Sequence, residues 1–476
     1  MGSETYDVIV VGAGPGGSAC AGLLAKKGIK TLLLEKNDRA GGKALTISRK
    51  GFSYELWPVS GGPSHNSRWE ELISELGLEV ELLAPEDAAL SLYRTPSGEY
   101  VPFQAPGPVS PTPEESEGVG RFFNDMMSLS PQEIDALDEV TCHEFVSRYR
   151  LPQAFYSSLA MQANIVFVVP IDLLAASEMV KTMRDMMRGG ATCYFKGGYG
   201  KIFEGCAKAV ERYGGEVRLR TRVERIAIEE GQVRGVITDK GTFHAPIVIS
   251  NAGIQPTVLK LVGEEHFDKG YVNYVKDLVP SLGLMGIRYF LSKPVFERPM
   301  YLTFSDDNYF NVERAERAKA GQLPEDALVF ITVPSLYDPS LAPAGKQCAL
   351  ASTLCPPGAD MENPQIFWDK LDQTVAKIWP ELPQNIEHKE YYGTADVSAL
   401  TREHVLPGQG GECIGLGQVV GQCGRHKPSA KAPLRGLFYV GCDAGGYGCG
   451  THHGVDSGFK VAHMALQYHQ MHQAAF

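Results

Sequence analysis

The clearest pattern of hydrophobic and polar positions lies at the start of the chain. Asp7-Val-Ile-Val-Val11 is a nearly unbroken apolar run rich in β-branched residues, as expected of a strand buried on both faces. A glycine-rich turn follows. Ser18 to Lys27 then supplies Ala, Leu and Lys, which predict a helix closed by Gly28 with Lys26 and Lys27 in its last turn. Ile29 to Glu35 predicts a second buried strand. The opening of the chain therefore reads as one β-α-β unit.

Further along the pattern is more broken. Val101 to Ser116 holds Pro102, Pro106, Pro108, Pro111 and Pro113 and then turns acidic, which predicts a loop or an inter-domain crossing. Phe122 to Met187 reads as helical. Gly197-Gly-Tyr-Gly200 is a sharp turn before an amphipathic helix, Ile202 to Arg212. Strands are expected at Glu216–Leu219, Val223–Glu229, Val233–Thr238 and Ile247–Ser250. Tyr271 to Tyr392 predicts a mixture of short strands and helices. Pro407 to Gly424 is a Gly-rich loop, Phe438 to Gly441 a strand, and Val455 to Tyr468 a closing helix.

Composition narrows the class. At 476 residues, 43% hydrophobic and 21% charged, the chain is globular and long enough for two domains. A net charge of −11 argues against a nucleic-acid partner, which needs a concentrated basic surface. No run approaches the ~20 apolar residues of a membrane span, and Tyr6–Val11 has no basic segment before it. A cytoplasmic location is expected, with peripheral membrane contact left open. None of the 10 cysteines forms a C-x-x-C pair. Cys423 with His426, and Cys442 and Cys449 with His452 and His453, match no standard ligand spacing, so no metal is expected.

The chemistry begins at Gly12-Ala-Gly14-Pro15-Gly16-Gly17, a G-x-G-x-x-G between a strand and a helix. The first glycine makes the tight turn, the second lets a diphosphate approach the backbone, and the third lets helix and strand pack closely. Free N–H groups and the helix dipole then hold the anion. Glu35, at the end of the second strand, is placed to accept ribose hydroxyls. These residues alone fit either NAD or FAD. Arg39-Ala-Gly41-Gly42-Lys43 extends the cradle in the manner of glutathione-reductase-type FAD proteins. Leu437-Phe-Tyr-Val-Gly441-Cys-Asp443 supplies a late strand ending in Gly-x-Asp.

Together these segments resemble the phytoene desaturase branch of the FAD-dependent amine-oxidase-like superfamily. The likeness extends to Gly51-Phe-Ser-Tyr-Glu55-Leu-Trp57-Pro58, to Gly197–Gly200 with the block Gly214–Ile226, to Val248-Ile-Ser-Asn251-Ala-Gly, and to Gly450-Thr-His452-His453-Gly454 with Val455-Asp-Ser-Gly458. The resemblance implies an α/β fold, with a glutathione-reductase-type Rossmann FAD domain (1–100, 190–265 and 400–476). A discontinuous α+β substrate domain (101–189 and 266–399) completes it. It implies non-covalent FAD held by Gly12, Gly14, Pro15, Gly16, Gly17, Glu35, Lys36, Arg39, Gly42, Lys43, Trp57, Pro58 and Asn251. Val223 would meet adenine through its backbone, Gly441 and Asp443 the ribityl and diphosphate part, and Val455 the pyrimidine edge of the flavin. Two positions depart from the pattern. Glu55 stands for the family's Asp, and Trp57 for a Gly that lets the flavin approach.

A flavin accepts or returns a hydride, and the protein positions the substrate and any proton donor. His452 and His453 are the acid–base candidates, with Tyr447 and Glu55 behind them. Met179, Met183, Met186 and Met187, with Phe122, Phe123, Met126 and Met127, predict either a helical core or an apolar face open to substrate or membrane. The expected function is desaturation or reduction of a carbon–carbon bond in a small apolar substrate, isoprenoid or alicyclic. Oxygen, a quinone or a separate carrier would exchange electrons with it. A double-bond isomerase and an amine oxidase are the alternatives on the same fold. A lipid-binding escort protein of the GDP-dissociation-inhibitor type is the alternative without catalysis.

Overall fold

The computed structural model describes residues 4–190 and 192–473. Residues 1–3, 191 and 474–476, which the sequence-based division assigns to the cofactor domain, lie outside the described residues. The opening β-α-β unit forms as expected. Val8–Val11 and Thr31–Leu34 are strands buried along their whole length, joined by the helix Pro15–Lys26. They sit inside a five-stranded sheet in the order Glu216–Arg218, Thr31–Leu34, Val8–Val11, Ile247–Ser250, Leu437–Tyr439. Every pairing in it is parallel. Strands covered on both faces explain why these runs lack a polar alternation.

One face of this sheet carries two helices that approach unusually closely. A Cβ on Gly458 would lie 2.9 Å from that of Ala19, and one on Gly454 would lie 3.1 Å from that of Pro15. Small residues thus let Pro15–Lys26 and the closing helix Gly450–Gln473 pack backbone to backbone. That closing helix begins one turn earlier than Val455, the start expected from sequence.

A second sheet has seven strands, ordered Ile386–Tyr392, Gly283–Leu291, Gln347–Cys355, Val329–Thr332, Met300–Phe304, Ala89–Arg94, Tyr100–Pro102. Gly283–Leu291 and Gln347–Cys355 are fully buried nine-residue strands, longer than the short elements expected there. Ala89–Arg94 pairs in parallel with Met300–Phe304, so this stretch belongs to the second sheet although the sequence-based boundary at residue 100 puts it with the cofactor domain. Helices cover this sheet's cavity-facing side, among them Pro113–Ser128, Gln153–Gln162 and Ala176–Gly189. The first begins inside the expected Pro-rich loop. Thr112 and Glu115 cap it reciprocally, and Pro113 occupies a first-turn position that needs no N–H. Among the described residues no helix is long and apolar enough to cross a membrane.

Candidate functional site

The carboxyl ends of the parallel strands open onto a cavity of about 860 Å3, the usual ligand position in such a sheet. Gly12, Gly14, Pro15 and Gly16 line it. Gly12 turns the chain at φ 93°, and Pro15 occupies a first-turn position of a helix that has no side-chain cap. Its first-turn N–H groups are therefore available to an anion. A Cβ on Gly16 would stand 2.9 Å from the Gly441 backbone, and one on Gly14 would stand 2.7 Å from the Asn251 carboxamide. The cradle is thus pinned between the ends of the fourth and fifth strands.

Glu35 is buried, and its carboxylate accepts the N–H groups of Ala13 and Asn37, each at 2.8 Å. This fixes the carboxylate at the cavity wall beside Lys36 and Asn37. The strap formed by Thr401, Arg402 and Glu403 borders the same end. Glu403 gathers Lys36 at 3.7 Å, Lys260 at 2.6 Å and Arg222, and these cations hold its carboxyl below the usual range against its burial. Val223 lines the cavity where the ladder to the next strand is irregular, between Val223 and Arg225. Gly42, at φ 54°, lets the second glycine pair come within contact of Gly14. Beside it Lys43 donates to the Glu412 carbonyl, and burial lowers its pKa.

Trp57 and Pro58 also line the cavity. The Trp57 ring packs 6.1 Å from that of Tyr392, and Arg288 holds the adjoining Leu56 carbonyl at 2.8 Å. The large side chain at this position is therefore built into the wall by the second sheet.

Several expected site residues lie elsewhere. Gly17 does not face the cavity; it packs inside the turn, where a Cβ would stand 2.0 Å from the Gly12 oxygen. Arg39 turns away to Asp38 and the Thr46 carbonyl, at 3.0 and 3.1 Å. Val455 is buried in the second turn of its helix, and Gly450, Thr451 and Gly454 line the cavity in its place.

The imidazoles point away from the cavity as well. His452 packs on Trp69 and accepts the Arg68 N–H at 3.2 Å; burial pushes its pKa down to about 4. His453 is fully buried and bonds Lys427 at 2.7 Å, and burial with that neighbouring cation holds it well below its usual value. Tyr447 donates to Asp185 at 2.6 Å, and burial, reinforced by that carboxylate, pushes its pKa up. Glu55 accepts from Thr46, Tyr194 and the Tyr199 N–H at 2.9, 2.6 and 2.8 Å, and so clamps a hairpin to the Gly197–Gly200 turn. None of these four side chains lines the cavity, so none faces it as an acid–base group. The two histidines sit on the side of the closing helix that packs against the protein core. The sequence could not reveal that orientation.

Gly441 and Asp443 reach the wall, but Asp443 is not free to accept from a ligand. Its carboxylate takes two contacts from Arg402, at 2.6 and 2.7 Å, and the N–H groups of Ile254 and Leu416, at 2.8 and 3.1 Å. A carboxylate offers about four acceptor positions, and all are filled. Arg402, which no sequence motif marks, is the charged group held at this point.

The rest of the lining is different in kind. Ala89 and Ser91 sit on one strand, beside Met300 and Leu302 on the next, with Phe330 beyond Leu302. Their in-between neighbours Leu90, Leu92 and Tyr301 pack into the core on the opposite face, the period of two expected of a strand. Opposite them the helical layer contributes Met161, Gln162, Ile165 and Val166. Among the described residues, every charged side chain of the cavity belongs to the glycine-cradle half; this second half has none. The described residues also hold no group of three or more His, Cys, Asp or Glu arranged for a metal ion.

Residues 16–466 match the family of flavin containing amine oxidoreductases. The chain is 27% identical over 387 residues to prolycopene isomerase 2 of an Oncidium hybrid, a match covering 72% of this chain and 63% of the isomerase. The chain thus spans less than two-thirds of that relative. It is 26% identical over 494 residues to the lycopene-forming phytoene desaturase of Pseudescherichia vulneris, covering 94% and 95% of the two chains. An oxidoreductase of Methanosarcina mazei shares the fold with a TM-score of 0.70 at 19% identity, covering 96% of this chain and 100% of that one.

The cofactor is FAD, and the residues present fit it. The glycine cradle would take the diphosphate, Glu35 a ribose, and Val223 the adenine. A Cβ on Gly16 or Gly17 would run into backbone, and one on Gly42 would come within 3.0 Å of Gly14, so glycine lets the backbone approach closely at these points of the cradle.

Proposed function

The chain belongs to the family of flavin containing amine oxidoreductases, and on that premise we propose that it acts on a carbon–carbon bond of a neutral, apolar substrate. FAD would be held non-covalently, and when bound it supplies a hydride acceptor or donor beside the substrate. The observation that carries this reading is the uncharged wall formed by Met300, Leu302, Phe330, Met161, Ile165 and Val166. Such a wall gains from apolar contact, at roughly 25 cal/mol per Å2 of surface taken from water. It offers no carboxylate to a protonated amine, whose burial without a counter-charge costs several kcal/mol. The named relatives act in the same direction, being phytoene desaturases and prolycopene isomerases.

The division of the chain follows from this. The parallel sheet and its glycine turn would hold the cofactor. The seven-stranded sheet and the helices over it would orient the substrate and keep water out. A double-bond isomerisation without net oxidation is a second reading, favoured by one feature. With His452 and His453 turned away, no described carboxylate or imidazole faces the uncharged half to take a proton. Incubating the FAD-loaded protein with detergent-dispersed phytoene and prolycopene, with and without a quinone, tests both. Products shorter by hydrogen and dependent on quinone support desaturation; a changed geometry without acceptor supports isomerisation. Turnover of a primary amine in place of both would refute the proposal.

A further inference from the structure

Gln162 is the last residue of the helix Gln153–Gln162. The chain then widens into a π-turn over Ala163–Phe167, and Val168 follows at φ 57°. A β-branched residue in that region is strained, and π-turns are rare and often found at functional sites. Asn164, fully buried, fixes the turn. Its amide donates to the carbonyls of Val169 at 2.9 Å and Phe310 at 3.0 Å, and its oxygen accepts the Phe310 N–H at 2.6 Å. The result is one rigid patch of cavity wall carrying Met161, Gln162, Ile165 and Val166.

Three of those four side chains are apolar. The Gln162 carboxamide has no protein partner among the described residues, whereas Thr451 in the same cavity is bonded to Tyr199 at 2.9 Å. Water can serve the amide while the cavity is open. A hydrocarbon that filled the cavity would displace that water and leave donor and acceptor unmet, which is costly out of water. A substrate carrying its own oxygen at that point would not.

We propose that Gln162 is a specificity-determining residue, and that the substrate is a neutral apolar molecule bearing one hydrogen-bonding oxygen, an alcohol or a ketone, which meets the Gln162 carboxamide. This deepens the function proposed above and rests on it. A pocket built to bond an oxygen discriminates against the analogue that lacks it, because its own polar group is then stranded.

The test uses the FAD-loaded protein and three probes of matched chain: farnesene, farnesol and farnesylacetone. Dissociation constants are read from the shift of the visible flavin bands under anaerobic conditions, without turnover. The native protein is expected to bind the alcohol or the ketone about tenfold tighter than the hydrocarbon, the difference one neutral hydrogen bond makes. Gln162→Met and Gln162→Leu are expected to abolish that preference and leave farnesene binding unchanged or tighter, with retained FAD and melting temperature certifying the fold of each. Equal binding of all three by the native protein, or a preference that survives in the variants, overturns the assignment of Gln162 and leaves the apolar reading intact. Binding of none of them overturns both.

Discussion

Arg402 and Asp443 form a buried ion pair, with one guanidinium nitrogen 2.6 and 2.7 Å from the two carboxylate oxygens. The pair joins the strap at residues 401–403 to the end of the fifth parallel strand. Two flanking glycines make room for it, since a Cβ on Gly253 or Gly415 would stand 2.8 or 2.7 Å from the pair. The arginine next to it and the backbone N–H groups hold the Asp443 carboxyl below its ordinary value of 3.8, against the effect of burial.

Breaking this pair on one side leaves a buried charge alone. Arg402→Met is expected to cost roughly 3–5 kcal/mol of stability, while Arg402→Met with Asp443→Asn is expected to recover most of it. The depressed carboxyl stabilises the fold above its unfolded pKa. That contribution fades as pH falls below about 4, so the double variant loses part of the acid sensitivity. Thermal melting from pH 3 to 7 measures both effects. Equal loss in the single and double variants would show that the pair contributes nothing as a pair.

Glu35 is expected to set cofactor affinity. Glu35→Gln keeps the shape and weakens a charged acceptor, so the FAD dissociation constant should rise about tenfold or more. Fluorescence titration of the apoprotein with FAD measures it. An unchanged constant would remove Glu35 from the cofactor site.

His452 is expected to matter for acid stability and not for chemistry. Its pKa falls from 6.5 to about 4 on folding because the ring is buried, with Asp456 and Asp185 opposing and Arg68 reinforcing the shift. The unfolded chain then binds a proton that the folded one refuses. Stability is lost as pH drops from 6.5 toward 4, by on the order of 3 kcal/mol over the whole span. His452→Gln should flatten that loss and leave turnover within a few-fold of native. A turnover collapse with FAD still bound would return His452 to the active site.

Asn164 is expected to separate substrate binding from cofactor binding. Asn164→Ala strands the Phe310 N–H and two carbonyls and releases the π-turn, a cost of about 2–4 kcal/mol. Ligand affinity should fall by an order of magnitude while FAD affinity stays within about twofold. Parallel titrations with FAD and with an apolar ligand measure the split. An equal fall in both would make Asn164 a general fold residue.

Local patterns were legible in the sequence where the relevant partners lie close along the chain. Gly12 to Glu35 spans one β-α-β unit, and turn, helix and carboxylate constrain one another within it. The Arg402 partner of Asp443 was not legible, because a Gly-x-Asp at a strand end looks the same whether a ribityl group or an arginine meets it, and Arg402 lies on a strap without regular pattern. His452 and His453 fall in a helix whose burying neighbours, Trp69 and Lys427, arrive from distant segments. Adjacent residues on a helix point in directions about 100° apart, so sequence alone could not say whether either of them met the cavity. The parallel pairing of Ala89–Arg94 to Met300–Phe304 depends on a crossing of some two hundred residues, which no local pattern encodes.

An uncharged, apolar half-cavity adjoins the FAD cradle. Anaerobic titration of the FAD-loaded protein with a neutral polyene and, separately, with a primary amine of similar size tests it most directly, followed through the visible flavin bands. Saturable perturbation or bleaching is expected with the polyene and none with the amine at equal concentration. Bleaching by the amine, with the polyene silent, would contradict it.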